Sequence, residues 1–537
     1  MNVNSVVTRA MILSGALVVS SVSTAQEGGD SEMTFDTGDE FVFDEGQVEP
    51  VAASSAPVAR YLQDGITAYE REDFLAASGF FWRVINDQDV AADSLRPRAQ
   101  FELAKTLVRM RLLQGALILF DEIILEGATH PFFEQSAEWL IVIARRLPGD
   151  AEMLRRISAF AELFPDRVEE KYRDELAYYL GQHYFNVGER ELALQYLGFV
   201  TEVSPFFNET LFLKGITHIR LEQPREALAE FQRLEELTRR GGSDRQLNEL
   251  AQLSLARTYY GAGNYEQALE LYGGIARNSE YWLDSLFESS WGYYQLEQFN
   301  RALGNLHSLN SPFFNDEYYP EAPVLQAVIL FYNCRWADVR VSLEEFDFTY
   351  SPLLDELRTS IASLASDEEF YEFLQQTTGQ SGRRFDPRLQ QIVNATLADR
   401  TIRNSVAFIE ELDRELGYIA GSDPGWAASD IGAFLRQEIL ATRDFARAEA
   451  GSLVRARLVG IADELAGHER AMSSIQVETD LAEANAISSD LEAELFRGES
   501  TDDVNAESSE YMVWTFDGEY WRDELGFYYY HINSQCE

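Results

Sequence analysis

The chain has 537 residues, 46% of them apolar, and sets 44 Lys plus Arg against 90 Asp plus Glu for a formal charge of −46. That length and apolar content exclude a disordered polymer and favour several domains or a repeat array. The charge repels phosphate backbones and anionic lipid heads, which argues against nucleic-acid binding and favours neutral or basic partners.

Residues 1–25 combine Arg9, an apolar run from Ala10 to Val22 and the small residues Ser23-Thr24-Ala25. This is the pattern of a secretory signal peptide, so export to a periplasm is expected. No Cys follows the cleavage site to carry a lipid anchor, and no other run is long enough to span a bilayer. Residues 26–57 are acidic, lack Lys and Arg, and contain Phe35, Phe41 and Phe43. Their composition predicts a disordered linker, with the phenylalanines open to use as a docking segment.

From residue 58 a repeat begins. Ala256, Tyr259, Ala268, Tyr272 and Ile275 follow the spacing of two short helices joined at Gly261, Gly263 and Asn264. The same offsets return from anchors Gly65, Ala104, Gly181 and Gly215, more loosely from Ser290 and Ala327, and in divergent form from Ile141; with Ala256 these anchors lie 34 to 41 residues apart. A helix–turn–helix unit of about 34 residues is the tetratricopeptide pattern. Residues 58–358 are therefore expected to form an all-α solenoid of about eight such units. Three Pro-Phe-Phe runs, at Pro131, Pro205 and Pro312, fall between units. Proline stops the outgoing helix, and the rings are expected to fill the seam.

Such arrays line a concave face with their first helices. Positions expected to face inward are Tyr178, Phe185, Phe212, Tyr260, Phe287, Trp291, Tyr294 and Phe331, interleaved with Arg220 and Arg257. Aromatic anchors with arginine suit a peptide-binding groove. The competing reading packs these rings between helices.

Residues 359–499 read as a long helical hairpin broken by "GSDPGW" at 421–426. Its second arm carries a heptad seam from Val454 to Ala486, in which His468 is a tolerated polar member and which leaves self-association through the long helices open. Residues 500–537 form an aromatic tail expected to dock on the helical body, with Tyr511–Phe516 strand-like and Trp521, Leu525, Tyr528 and Ile532 at helical spacing. In an exported chain the two cysteines, Cys334 and Cys536, favour a disulfide; formed within the chain it would clamp the tail to the last repeat and cap its bare face, the alternatives being one buried and one free thiol or pairing between chains.

"SPFFNDEYYPEAPVLQAVILFYNCRW" and "FDGEYWRDELGFYYYHINSQC" resemble segments of periplasmic tetratricopeptide proteins tied to the myxobacterial adventurous gliding machinery. The resemblance implies an envelope scaffold that holds other proteins together, with no catalytic residues.

The rival class is an enzyme, such as a peptidoglycan-modifying one. The Glu-Ser pairs Glu288-Ser289, Glu499-Ser500 and Glu507-Ser508 lack the context of a lytic transglycosylase, and the six histidines show no metal-ligand spacing. The sequence thus points to a non-enzymatic protein-binding scaffold without cofactor or metal, its partners being envelope proteins or peptide segments. The alternative binding role is a periplasmic chaperone for exported proteins.

Overall fold

The computed structural model describes residues 57–146, 151–241, 245–314, 317–378, 389–493 (without 391, 393, 395, 397 and 398) and 518–536 (without 533). The expected signal peptide, nearly all of the acidic segment and the strand-like run Tyr511–Phe516 lie outside the described residues.

Helices pair along the chain. α1 (Pro57–Glu70) packs on α2 (Phe74–Ile85), α3 (Arg96–Arg109) on α4 (Leu113–Glu126), and α5 (Phe133–Ala144) on α6 (Ala151–Ser158). The series continues with α7 (Glu170–Asn186) and α8 (Arg190–Leu197), α9 (Phe207–Arg220) and α10 (Pro224–Gly241), and α11 (Arg245–Gly261) and α12 (Tyr265–Gly274). It ends with α13 (Trp282–Gln295) and α14 (Phe299–Leu309), then α15 (Glu321–Tyr332) and α16 (Trp336–Ser363). Each anchor residue lies on the first helix of its pair. Small residues let the two helices close: Ala104, Ala116, Ala256, Ala268, Ala302 and Ala327 are wholly buried. In units 1 and 5 the rings of Phe81 and Phe231 lie where a Cβ on Gly65 or Gly215 would sit.

The turns share one device. Glu72, Arg111, Gly188, Glu222, Gly263, Glu297 and Cys334, each seven residues past its anchor, have φ between 55° and 86°. This left-handed residue ends the first helix in a Schellman-type turn, with Asp73 N–H donating to Ala68 O at 2.9 Å and Gln298 N–H to Tyr293 O at 2.8 Å. Only two of the seven are glycine, so the other five carry a conformational cost.

The Pro-Phe-Phe seams repeat a local bond. His130 Nδ1, Ser204 Oγ and Ser311 Oγ accept from the N–H two residues on, at 3.2, 3.2 and 3.3 Å. Phe132 stacks on Phe101 of the preceding unit and Phe206 on Tyr178. In the third copy Phe314 meets Trp282 edge-on, while Phe313 is exposed under Arg522.

The hairpin is more than an appendage. Helix α16 runs on past the expected boundary at 358 to Ser363, and α17 (Asp367–Thr378) follows. α18 (Arg400–Gly421) then turns through Pro424–Ala427 into α19 (Asp430–Ala493), about 95 Å long at 1.5 Å per residue. Asp423 caps the turn, accepting from Gly425 N–H and Trp426 N–H at 2.9 and 3.0 Å. The turn and the N-terminal part of α19 meet units 1 and 2: Trp426 Nε1 of the turn donates to Ser78 Oγ at 2.9 Å, Phe434 packs on Trp82, and α19 touches α4. Glu415 of α18 accepts from Gln114 N–H at 2.8 Å, capping the N-terminus of α4 from outside. Farther along, α19 packs on α15 and α16 of unit 8, and Arg340 pairs with Asp480 and Glu483. α19 is thus a chord tying both ends of the solenoid.

Two expectations change here. The heptad seam from Val454 to Thr479 is buried within this chain, packed with Leu353, Leu357 and Phe370 into one core. That seam is therefore occupied internally. It is also the hairpin, rather than the tail, that covers the apolar end of the last repeat.

The described part of the tail, 518–536, crosses units 7 and 8 without helix among its described residues. Gly526 has φ 80°, and the backbone donors are taken by the solenoid: Gly526 N–H by Ser308 Oγ at 2.8 Å, Tyr530 N–H by Asn300 O at 3.1 Å, Ile532 N–H by Asn300 Oδ1 at 2.9 Å. Cys334 and Cys536 are joined, Cα to Cα 5.1 Å, pinning the tail end at the turn of unit 8.

Candidate functional site

First-helix residues of units 4 and 6–8 build the site. Four residues past the anchor stand Phe185, Tyr260, Tyr294 and Phe331, all half-buried. Tyr294 lies 6.4 Å from Tyr332 and 6.0 Å from Phe299, ring centre to ring centre, and Phe331 meets Trp336 at 5.4 Å. Tyr260 packs edge-on to Tyr265. Burial raises the hydroxyls of Tyr260 and Tyr294 above the ordinary tyrosine value.

Below the row lies a buried polar cluster. Arg257, 3% exposed, places Nε 3.0 Å from both oxygens of Glu288, which also accepts from Tyr272 Oη at 2.9 Å. Tyr319 donates to Asp284 Oδ1 at 2.8 Å. Burial pushes the Asp284 carboxyl up to about 6, against the pull of Arg257. Burial opposes the charge of Arg257, and the facing Glu288 more than restores it. The cluster joins α11, α12, α13 and the start of unit 8, so it fixes the relative angle of three units.

Of the ten residues assigned to partner binding, four are buried. Tyr178 stacks on Phe206, Phe212 packs on Phe231, Trp291 sits edge-on to Tyr294, and Arg257 is held by Glu288. Tyr178, Phe212 and Arg257 thus join neighbouring elements, and Trp291 is buried against Tyr294 of its own helix, so none of the four presents its side chain outward. Their spacing alone does not distinguish a seam from a surface, because both lie on the first helix. Phe185, Arg220, Tyr260, Phe287, Tyr294 and Phe331 keep partial exposure, with Phe287 against Tyr319. Sequence reading missed the Lys105 nest, where the ammonium pairs with Glu102 and lies 5.1 to 5.8 Å from the rings of Tyr69, Phe101 and Trp139. The partly exposed rings and hydroxyls offer apolar and hydrogen-bonding contact along the first helices of units 6–8. Among the described residues no group of three or more His, Cys, Asp and Glu is placed to hold a metal ion.

Eight two-helix units, seven of them with a small anchor and a left-handed turn, give this chain the architecture of a tetratricopeptide-type solenoid with a C-terminal helical hairpin. No family model and no curated protein matches the chain. Among solved structures it is similar to a tetratricopeptide repeat protein from Parabacteroides merdae, at 15% identity, covering 54% of this chain and 93% of that one, with a TM-score of 0.24. The repeat geometry, rather than this match, carries the fold assignment.

Proposed function

We propose that the protein is a non-enzymatic scaffold of the cell envelope that holds a polypeptide partner along the first-helix aromatic row of units 6–8. The observation that carries this reading is the recurrence of half-buried rings at one register, Tyr260, Tyr294 and Phe331, over a rigid polar cluster. Large amphipathic rings on a fixed frame bind peptides with little loss of side-chain freedom. Export agrees with the leader-like start and with the Cys334–Cys536 bond, since disulfides persist in oxidising compartments. No described helix is long and apolar enough to cross a membrane. The resemblance to gliding-machinery proteins supports an envelope assembly as the setting.

Crosslinking in the native cell with a photoreactive residue at Tyr294 tests this. A fixed partner, recovered in constant ratio and lost from the Tyr260→Ala/Tyr294→Ala double variant, is expected. Recovery of many unfolded clients in varying amounts would replace the scaffold with a chaperone.

A further inference from the structure

A cavity of about 510 Å³ lies between units 7 and 8, on residues separate from the aromatic row. Its walls come from α14, α15 and α16, and the tail contributes Tyr520 and Tyr530. Four further aromatic residues, Phe314, Tyr319, Phe346 and Tyr350, line it. Two carboxylate residues, Glu317 and Glu345, line it as well, and no Lys or Arg does. His307 adds no positive charge at neutral pH, because burial pushes its pKa down between the rings of Tyr520 and Tyr528. Glu345 is exposed to solvent, and its partial desolvation beside the cavity pushes its carboxyl up. The volume is that of a small-molecule site.

Ring faces carry negative potential, and so do carboxylates, so a chamber built from both without a resident cation selects positive charge on an apolar body. We infer that this cavity binds an organic cation, a substituted ammonium, with Glu345 as counter-ion and the tyrosine and phenylalanine rings as its cage. Tail rings form part of the wall, so the Cys334–Cys536 bond holds the site in shape. The ammonium can be free or carried on a lysine side chain, and the chemistry of recognition is the same.

Calorimetry on the full-length oxidised protein tests the inference. The probes are choline, its neutral carbon analogue 3,3-dimethylbutan-1-ol, and N-acetyl-lysine methylamide. At least one cation should bind ten times or more tighter than the neutral analogue, with the preferred cation telling a free ligand from a peptide-borne one. Glu345→Gln should weaken that binding at least tenfold while the melting temperature holds. Cys536→Ser, which unpins the tail without altering a lining residue, should weaken it too. Equal binding of the neutral analogue, unchanged affinity in Glu345→Gln, or no binding of either cation at millimolar concentration overturns the site. Because wild-type protein alone decides the charge preference, a variant that fails to fold leaves the test standing.

Discussion

Trp426→Ala is the sharpest test of the chord. The indole is 8% exposed, and its Nε1 donates to Ser78 Oγ of unit 1 across 348 positions of sequence. Truncating a buried tryptophan costs about 3–5 kcal/mol, of which about 1 kcal/mol is the hydrogen bond. The loss should be local at first, because the distal half of α19 keeps its packing on unit 8. Native-state hydrogen exchange reads such local opening. A loss of about 4 kcal/mol corresponds to roughly a thousandfold faster exchange in the segments around 78–85 and 431–442. Ser78→Ala alone should cost about 1 kcal/mol, and a double-mutant cycle should return a coupling of about 1 kcal/mol. Exchange within threefold of wild type in Trp426→Ala, or strict additivity in the cycle, would refute the chord as a structural tie.

Further outcomes follow from single residues. Glu222, at φ 58°, sits where two other units use glycine, so Glu222→Gly should raise stability by about 1 kcal/mol, read as a higher urea midpoint at unchanged slope. Glu321 is 3% exposed and burial pushes its carboxyl up to about 7 from an ordinary 4.5. The folded chain then holds a proton that the unfolded chain has lost, so this stabilisation is complete below about pH 4.5 and disappears as pH rises through about 7. Some 3 kcal/mol should be lost over that window, and Glu321→Gln should flatten the slope of melting temperature against pH. Gly304 faces Tyr528 O at a distance that an added Cβ would close to 1.9 Å. Gly304→Ala should therefore lift the tail, and protease cleavage near Phe527 should report it while the solenoid melts as before.

The repeat was legible because one steric rule recurs. A small residue at the anchor and another twelve positions on must face each other, so Ala256 with Ala268 and Gly65 with Ala77 appear at fixed spacing whatever the surface does. The hairpin was legible as two helices around Asp423-Pro424-Gly425-Trp426, but its docking was not. Glu415 with Gln114, or Trp426 with Ser78, are pairings about 300 positions apart with no local trace. The tail shows the opposite failure. Trp521, Leu525, Tyr528 and Ile532 keep helical spacing, yet donors that a helix would bond internally are claimed by Ser308 and Asn300. A period describes which face is apolar, and tertiary partners decided the backbone. The aromatic groove fell between these cases: half-buried Tyr260 and buried Trp291 carry the same sequence signal.

The chord also bears on how the groove works. A free solenoid is a spring, since each unit touches only its neighbours and small rotations accumulate along the array. Here α19 ties α2 and α4 at one end to α15 and α16 at the other, so the curvature between them changes only if contacts such as half-buried Trp82 with Phe434 or the buried Val454–Thr479 seam are broken. The spacing of Tyr260, Tyr294 and Phe331 is thereby fixed, and under the proposed function a partner would bind with little cost for ordering the receptor. Surfaces that accept many clients adapt by repacking flexible, often methionine-rich contacts. This chain has 7 methionines among 537 residues and locks its groove with Arg257–Glu288 and Tyr319–Asp284. A frame with fixed ends, a locked groove and few adaptable side chains suits one partner of defined shape better than a succession of unfolded ones, which is why the scaffold reading is preferred to the chaperone.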